Sequence, residues 1–324
     1  MSMSTQELKF EAAGRRFPWM LVGLWLALGC APEPQDFGEA ALPDSAASAL
    51  STTNSMTPNG LTLNGLSLNG MSYNGLSTNG LSTNGLSTPA FSSWFNSNPA
   101  SISDMVMRYL VRCAVPSGQS RTWTNPSTGS SYTWAGGLGL TPDWASGMPS
   151  TELEEQLITA CLAAHVNKYG VSMQISIVGR NSKGTALPIA AGELETYSQK
   201  EAAFYGNLFR NEGVYVCKDP LLKLNSSQST LRACSLESQI VGGSTECGPM
   251  LIWGTCGGSN SCKPDSSKQY YSTCSYNGKT YAVLSTSIRP QDIYKCGDGV
   301  CQQSESCGTG TTASSCLADC GTCE

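Results

Sequence analysis

The stretch TELEEQLITACLAAHVNKYGVSMQISIV, residues 151–178, changes its hydrophobic period part-way along. Thr151 with Glu154 three residues on forms a capping-box pattern at a helix start. Leu153, Leu157, Cys161 and Ala164 then recur at helical spacing, and Gly170 supplies a stop. From Val171 to Val178 apolar residues alternate with Ser and Gln, the pattern of a half-buried strand. Helix and strand signals stand side by side here, and with the flanking elements they read as an α+β domain.

The same grammar extends both ways from this stretch. Ser101-Ile102-Ser103-Asp104 has the form of a second capping box, with Ile102, Met105, Val106, Tyr109, Leu110 and Cys113 on one helical face behind it. Cys113 and Cys161 both fall on apolar faces, so a bridge between the two helices is expected. Residues 120–135 alternate around Trp123 and Trp134 and read as a β-hairpin. A third helix is expected around Glu193 to Phe209. Short strands follow at Val214–Cys217 and Met250–Trp253. Tyr270–Cys274 and Lys279–Ser285 should pair across Asn277-Gly278, the preferred type I′ turn. The expected domain spans residues 97–290 and is stapled by about four disulfides.

Fifteen cysteines in 324 residues indicate export or metal loading, because a cytosol keeps thiols reduced. The N-terminus favours export. Lys9, Arg15 and Arg16 precede an uncharged apolar run, Phe17 to Leu28, too short to span a bilayer comfortably and suited to a signal peptide over residues 1–29. After Cys30 the cysteines fall into two even sets. The first is Cys113, Cys161, Cys217, Cys234, Cys247, Cys256, Cys262 and Cys274; the second is Cys296, Cys301, Cys307, Cys316, Cys320 and Cys323. Each set can close on itself, which leaves Cys30 to be explained. Residues 30–58, rich in Pro, Ala and Ser, read as a flexible tether. Residues 59–88 repeat a five-residue NGLSx unit, expected to be a low-complexity stalk or a short ladder laid against the next domain. The last segment, residues 295–324, is too small for an apolar core and must be held by cross-links.

Leu26-Ala27-Leu28-Gly29-Cys30 resembles a lipobox, the bacterial lipoprotein signal, with Ala27 where that pattern usually has Leu. The resemblance implies a lipid on Cys30. Cys296-Gly297-Asp298-Gly299, Cys301, Glu305, Cys307, Cys316, Asp319, Cys320 and Gly321 resemble a Cys-rich module of exported bacterial proteins. The NGLSx run is similar to pentapeptide repeats. Together these features resemble surface lipoproteins of predatory soil bacteria of the myxobacterial type, which implies a location in the cell envelope and no particular activity.

Charge and chemistry narrow the function. With 19 Lys+Arg against 24 Asp+Glu, a net charge of −5 and no basic stripe, nucleic acid is not an expected partner. A single histidine, His165, excludes an HExxH metalloprotease and any multi-His metal site. It lies four residues after Cys161, so a Cys–His nucleophile pair stands beside the plainer expectation of a bridged cysteine. Gly278-Lys279-Thr280 and Gly136-Gly137-Leu138-Gly139 imitate nucleotide loops but sit in turns. Glu152, Glu154 and Glu155, and also Glu193, Glu195 and Glu201, are expected on solvated helix faces. Cys316, Cys320 and Cys323 have zinc-like spacing, though disulfides are expected in an oxidising compartment. Asp298, Glu305 and Asp319 are weak Ca²⁺ candidates. Trp123, Tyr132, Trp134 and Trp144 form either a sugar-stacking platform or a hairpin core. The expectation is a non-catalytic envelope lipoprotein for surface, matrix or protein contact. The alternatives are a secreted hydrolase of peptide, glycan or cell wall, and a glycan-binding module.

Overall fold

The computed structural model describes residues 51–53, 74–167, 169–232, 250–257 and 262–323. The expected signal peptide, Cys30, most of the expected tether, the first three repeat units, Cys234 and Cys247 lie outside these residues. The chain is an α+β protein rich in disulfides.

In chain order the elements are β1 (Ser51–Thr53), α1 (Leu76–Asn79), α2 (Thr83–Leu86), α3 (Pro89–Asn96) and α4 (Ala100–Ala114). The hairpin β2 (Ser120–Thr124) and β3 (Ser131–Ala135) follows, then α5 (Pro142–Ser146), α6 (Glu152–Ala164) and β4 (Gln174–Val178). After these come α7 (Glu193–Thr196), β5 (Gln199–Gly206), β6 (Val214–Lys218), β7 (Gln228–Ser229) and β8 (Met250–Thr255). The chain finishes with β9 (Lys263–Pro264), β10 (Tyr271–Tyr276), β11 (Lys279–Ile288), β12 (Tyr294–Lys295), β13 (Thr311–Thr312), β14 (Ser315–Cys316) and α8 (Leu317–Cys320).

The main sheet runs β1-β4-β11-β5-β6-β8, with β10 paired to β11 and β9 to β10. Strand alternation divides its side chains between two cores. Ala202, Phe204, Val214, Val216 and Leu284 belong to the larger core, on the sheet face against which α6 packs. Their neighbours Ala203, Tyr205, Tyr215, Cys217 and Val283 pack on the other face with Cys256, Cys262, Cys274 and Tyr281. Among the described residues helices lie on one face of the sheet, and on the other lies a hairpin layer of β9 and β10, joined to the sheet through β11 and built on tyrosines and disulfides. Among the described residues no helix is long and apolar enough to cross a membrane.

Several expectations change. The third helix is confined to Glu193–Thr196, and Gln199–Gly206 is a central strand. Residues 201–206 are all buried, because this strand is covered on both faces. A strand buried on both faces reads as one apolar run, which periodicity cannot tell from a buried helix. The second change is in the repeat. From Asn74 onward it is no free stalk: Leu76, Leu81 and Leu86 are 0–1% exposed in the main core. Trp144 Nε1 donates to the Leu76 carbonyl at 2.7 Å, and Arg121 Nε donates to that of Leu81 at 2.8 Å. The glycines permit this approach. A Cβ on Gly80, which has φ +72°, would lie 2.3 Å from the Gly147 Cα. Within the stretch assigned to the tether, Ser51–Thr53 pairs antiparallel with Gln174–Ser176.

The third change concerns the Cys-rich end, which is docked onto the domain. β12 pairs with β7, Ala313 N donates to the Ser226 carbonyl at 3.0 Å, and the Ser229 and Ser304 hydroxyls meet at 2.9 Å. Its bridges are Cys296–Cys316, Cys301–Cys320 and Cys307–Cys323, an order of first to fourth, second to fifth and third to sixth. In the domain the bridges among the described residues are Cys113–Cys161, Cys217–Cys256 and Cys262–Cys274. Helix α4 starts one residue before Ser101, with Pro99 at its N-cap, so Ser101 does not cap it. The Thr151/Glu154 capping box is present in full.

Candidate functional site

Cys161 and His165 come together at the end of α6, but the sulfur is bonded to Cys113 and so offers no nucleophilic thiolate. His165 is fully buried. Its Nδ1 lies 2.8 Å from the Cys161 carbonyl oxygen, and its ring packs 5.0 Å from that of Tyr109. Burial drives its pKa down to about 3; the Cys161 carbonyl opposes this, and the charges of Arg112 and Arg232 add to it. The sign of the linked stability follows directly. Above the ordinary value of 6.5, neither folded nor unfolded chain holds the proton. Below it, the unfolded chain takes up a proton that the folded chain refuses, so stability falls as pH drops toward 3. Urea unfolding from pH 7 to pH 4 is expected to show this loss, and His165→Gln to flatten it. An unchanged slope in the variant would contradict the assignment.

The hairpin aromatics form a core. Trp123, Trp134 and Trp144 are 6%, 1% and 0% exposed. Phe95 covers Trp123 at 4.7 Å and Tyr132 at 4.9 Å, and Phe91 meets Trp123 edge-on at 5.0 Å. Trp134 Nε1 donates to Asp104 at 2.7 Å. The tryptophan ring faces named in the sequence are therefore taken up by packing and are not laid open for a sugar.

The solvated-face expectation fails for four of the six glutamates. Glu154, Glu155, Glu193 and Glu201 are buried, while Glu195 is exposed and Glu152 half-buried. Each buried one has a structural task. Glu154 closes the capping box and accepts from Trp144 N. Glu155 accepts from Asn207 at 3.1 Å and Arg210 at 2.7 Å. Glu193 accepts from Ser176 at 2.6 Å and from Ala190 N at 3.0 Å. Glu201 accepts from Arg232 Nε at 2.8 Å and from the Thr286 hydroxyl at 2.7 Å. The β5–β11 register shifts between Thr286 and Ser287, and Glu201 is the extra residue of that bulge. Such a bulge re-aims a side chain, here toward Arg232, which also donates to the Val166 carbonyl just past α6.

In the Cys-rich end, Asp319 accepts from the amides of Gly297, Asp298 and Gly299 at 2.5, 3.2 and 2.9 Å. Asp298 accepts from Gln302 and from Val300 N, interactions that lower its pKa. Burial raises that of Glu305. Among the described residues these three carboxylates do not converge on one point. Cys316, Cys320 and Cys323 are taken up by three separate bridges.

One open cleft of about 310 Å³ lies beside the start of α6. Leu153 and Leu157 form one wall, Tyr281, Ala282 and Val283 of β11 the floor, and Tyr270 to Thr273 the far wall. Arg180 and Asn181 stand at its rim. The cleft exists because Leu153 faces outward, 44% exposed, while α6 is buried from Glu154 to Ala164. Gln156 helps to hold the floor by accepting from Ala282 N at 2.9 Å. At the rim Arg180 pairs with Asp265 at 3.1 Å, and hydrogen bonds from Ser267 first, then from Arg180, hold the Asp265 carboxyl well below the usual carboxylate range. Tyr271 in the far wall donates to Asp219 at 3.2 Å; burial first, then that carboxylate, pushes its phenol up to about 12. The walls are mostly apolar with a few fixed polar groups, the ordinary make-up of a binding site. Leu153 was legible only as one more apolar helix position, and nothing local tied it to Tyr270 or Tyr281, which stand more than a hundred residues further along the chain. A second feature missed in the sequence is Trp253, 39% exposed and edge-on to Tyr276 at 5.1 Å. No family model, curated protein or solved structure matches this chain.

Proposed function

We propose that this chain is an exported lipoprotein of a bacterial envelope, held by a lipid on Cys30. Its cross-linked domain binds an apolar segment of a partner protein in the cleft beside α6. Six bridges among twelve cysteines support an oxidising compartment. The cleft is the observation that carries the binding reading: an exposed leucine and three tyrosines line a concave, largely apolar surface. The glutamates of α6 and β5 are engaged in holding the fold, which favours binding over hydrolysis. The signal, anchor and envelope location rest on the resemblances of the N-terminus, the repeat and the Cys-rich end.

Selection of displayed peptides on the oxidised protein tests this reading. Peptides rich in apolar residues are expected to be enriched. Their binding should fall roughly tenfold or more with Leu153→Asp, because a carboxylate placed in an apolar site must be desolvated. Trp253→Ala, outside the cleft, should leave it unchanged. Enriched peptides indifferent to Leu153→Asp would overturn the cleft assignment. A glycan-binding alternative is favoured by a different surface from the one the sequence indicated, the Trp253–Tyr276 pair. It requires glycan binding that is lost with Trp253→Ala and kept with Leu153→Asp.

A further inference from the structure

Two disulfides touch beneath the tyrosines of the hairpin layer. Cys217 Sγ, bonded to Cys256, lies 3.5 Å from Cys262 Sγ, which is bonded to Cys274. The sulfurs of Cys217, Cys262 and Cys274 all lie within 4.8 Å of one another. Each bridge stays inside its own layer. Cys217 belongs to β6 and Cys256 follows β8, so the first bridge joins two neighbouring strands of the sheet. Cys262 precedes β9 and Cys274 belongs to β10, so the second closes the hairpin layer on itself. Neither bridge fastens one layer to the other, although their sulfurs meet across the boundary.

We propose that these four cysteines form a thiol–disulfide exchange site, able to pass between Cys217–Cys256 with Cys262–Cys274 and Cys217–Cys262 with Cys256–Cys274. The co-reactant is a small thiol, and it is regenerated. Its thiolate attacks Cys256 Sγ, forming a mixed disulfide, and the Cys217–Cys256 bond breaks to release the Cys217 thiolate. That thiolate attacks Cys262 Sγ, the Cys217–Cys262 bond forms, and the Cys262–Cys274 bond breaks to release the Cys274 thiolate. The Cys274 thiolate then attacks Cys256 Sγ in the mixed disulfide and expels the small thiolate, which regains its proton from water. Two disulfides enter and two leave, with no net oxidation. Such displacement depends on a thiolate reaching a disulfide sulfur, and the 3.5 Å contact of Cys217 with Cys262 supplies that access for the second displacement. Entry from solvent falls to Cys256 and Cys262, 3% and 5% exposed, since Cys217 and Cys274 are fully covered.

The exchanged pairing ties the sheet to the hairpin layer. Because Tyr271 to Thr273 of β10 line the cleft, it would also fix that wall; this consequence rests on the binding reading, whereas the exchange does not.

The test is disulfide mapping of the folded, oxidised full chain after incubation with reduced and oxidised glutathione without denaturant, followed by acid quench, alkylation and digestion. Peptides joining Cys217 to Cys262 and Cys256 to Cys274 are expected, at least roughly tenfold above any bridge from these four to Cys113, Cys161 or the terminal six. Retention of the starting pairs alone, or indiscriminate scrambling, would overturn the proposal. Cys274→Ser gives a second route. It leaves Cys262 as a thiol beside Cys217, and alkylation without added thiol is then expected mainly on Cys256. Alkylation confined to Cys262 in a variant whose circular dichroism is unchanged would count against exchange, and a variant that does not fold leaves the decision to the mapping.

Discussion

A chain that starts at Ser97 is expected not to fold, whereas one that starts at residue 54 keeps a cooperative thermal transition. The difference lies in residues 74–96. Leu76, Leu81, Leu86, Phe91 and Phe95 are 0–1% exposed, Trp94 is 6% exposed, and all belong to the main core. Truncating one buried leucine to alanine typically costs about 2–5 kcal/mol, and one phenylalanine about 3–5. Removing all six side chains therefore exceeds the roughly 5–15 kcal/mol by which a domain is stable. The deletion also strips Trp144 Nε1 of its acceptor at Leu76 and Arg121 of its acceptor at Leu81. Circular dichroism melts of the two truncations check this. Similar midpoints would mean that the repeat is an appendage after all.

The second large effect is expected at the buried ion pair. Glu201 and Arg232 side chains are both 0% exposed and meet at 2.8 Å. Removing one partner of such a pair strands the other charge away from water and typically costs about 3–5 kcal/mol. Glu201→Ala and Arg232→Met should each lower the urea midpoint by an amount in that range. Glu201→Leu combined with Arg232→Met should cost clearly less than the sum of the single changes, because no charge is then left alone. Thr286 is the third member, donating to the same carboxylate, and Thr286→Val should cost about 1.5–3 kcal/mol through one lost hydrogen bond to a charged group. Additive single and double changes would show that the pair contributes no coupling.

Much of the framework was legible because its signals are local. The capping box at Thr151, the Asn277-Gly278 turn with positive φ at both residues, and the Trp123/Trp134 hairpin each depend on a few adjacent positions. Cys113 and Cys161 could be singled out because helical spacing places both on buried faces, and they are bridged with their Cα atoms 6.0 Å apart. What escaped is long-range. β5 reads as a helix in the sequence because it is covered on both faces, which erases the period of two. The glutamates looked solvated because their partners, Asn207 and Arg210 for Glu155 and Arg232 for Glu201, are remote in sequence. The repeat reads equally as a stalk or as a ladder laid against the domain because its short period gives no core by itself; the domain it packs against supplies one. The cleft could not be seen either, since it needs Leu153, Arg180, Tyr270 and Tyr281 to meet.

The most direct test of the central claim, an exported, lipid-held and fully cross-linked protein, is the intact mass of the chain from native envelopes, measured with and without reduction and alkylation. A chain beginning at Cys30, heavier by its lipid, with no alkylation before reduction and fourteen alkylated cysteines after it, is the predicted result. An uncleaved N-terminus with several cysteines alkylated before reduction would contradict it, and would place the protein in a reducing compartment.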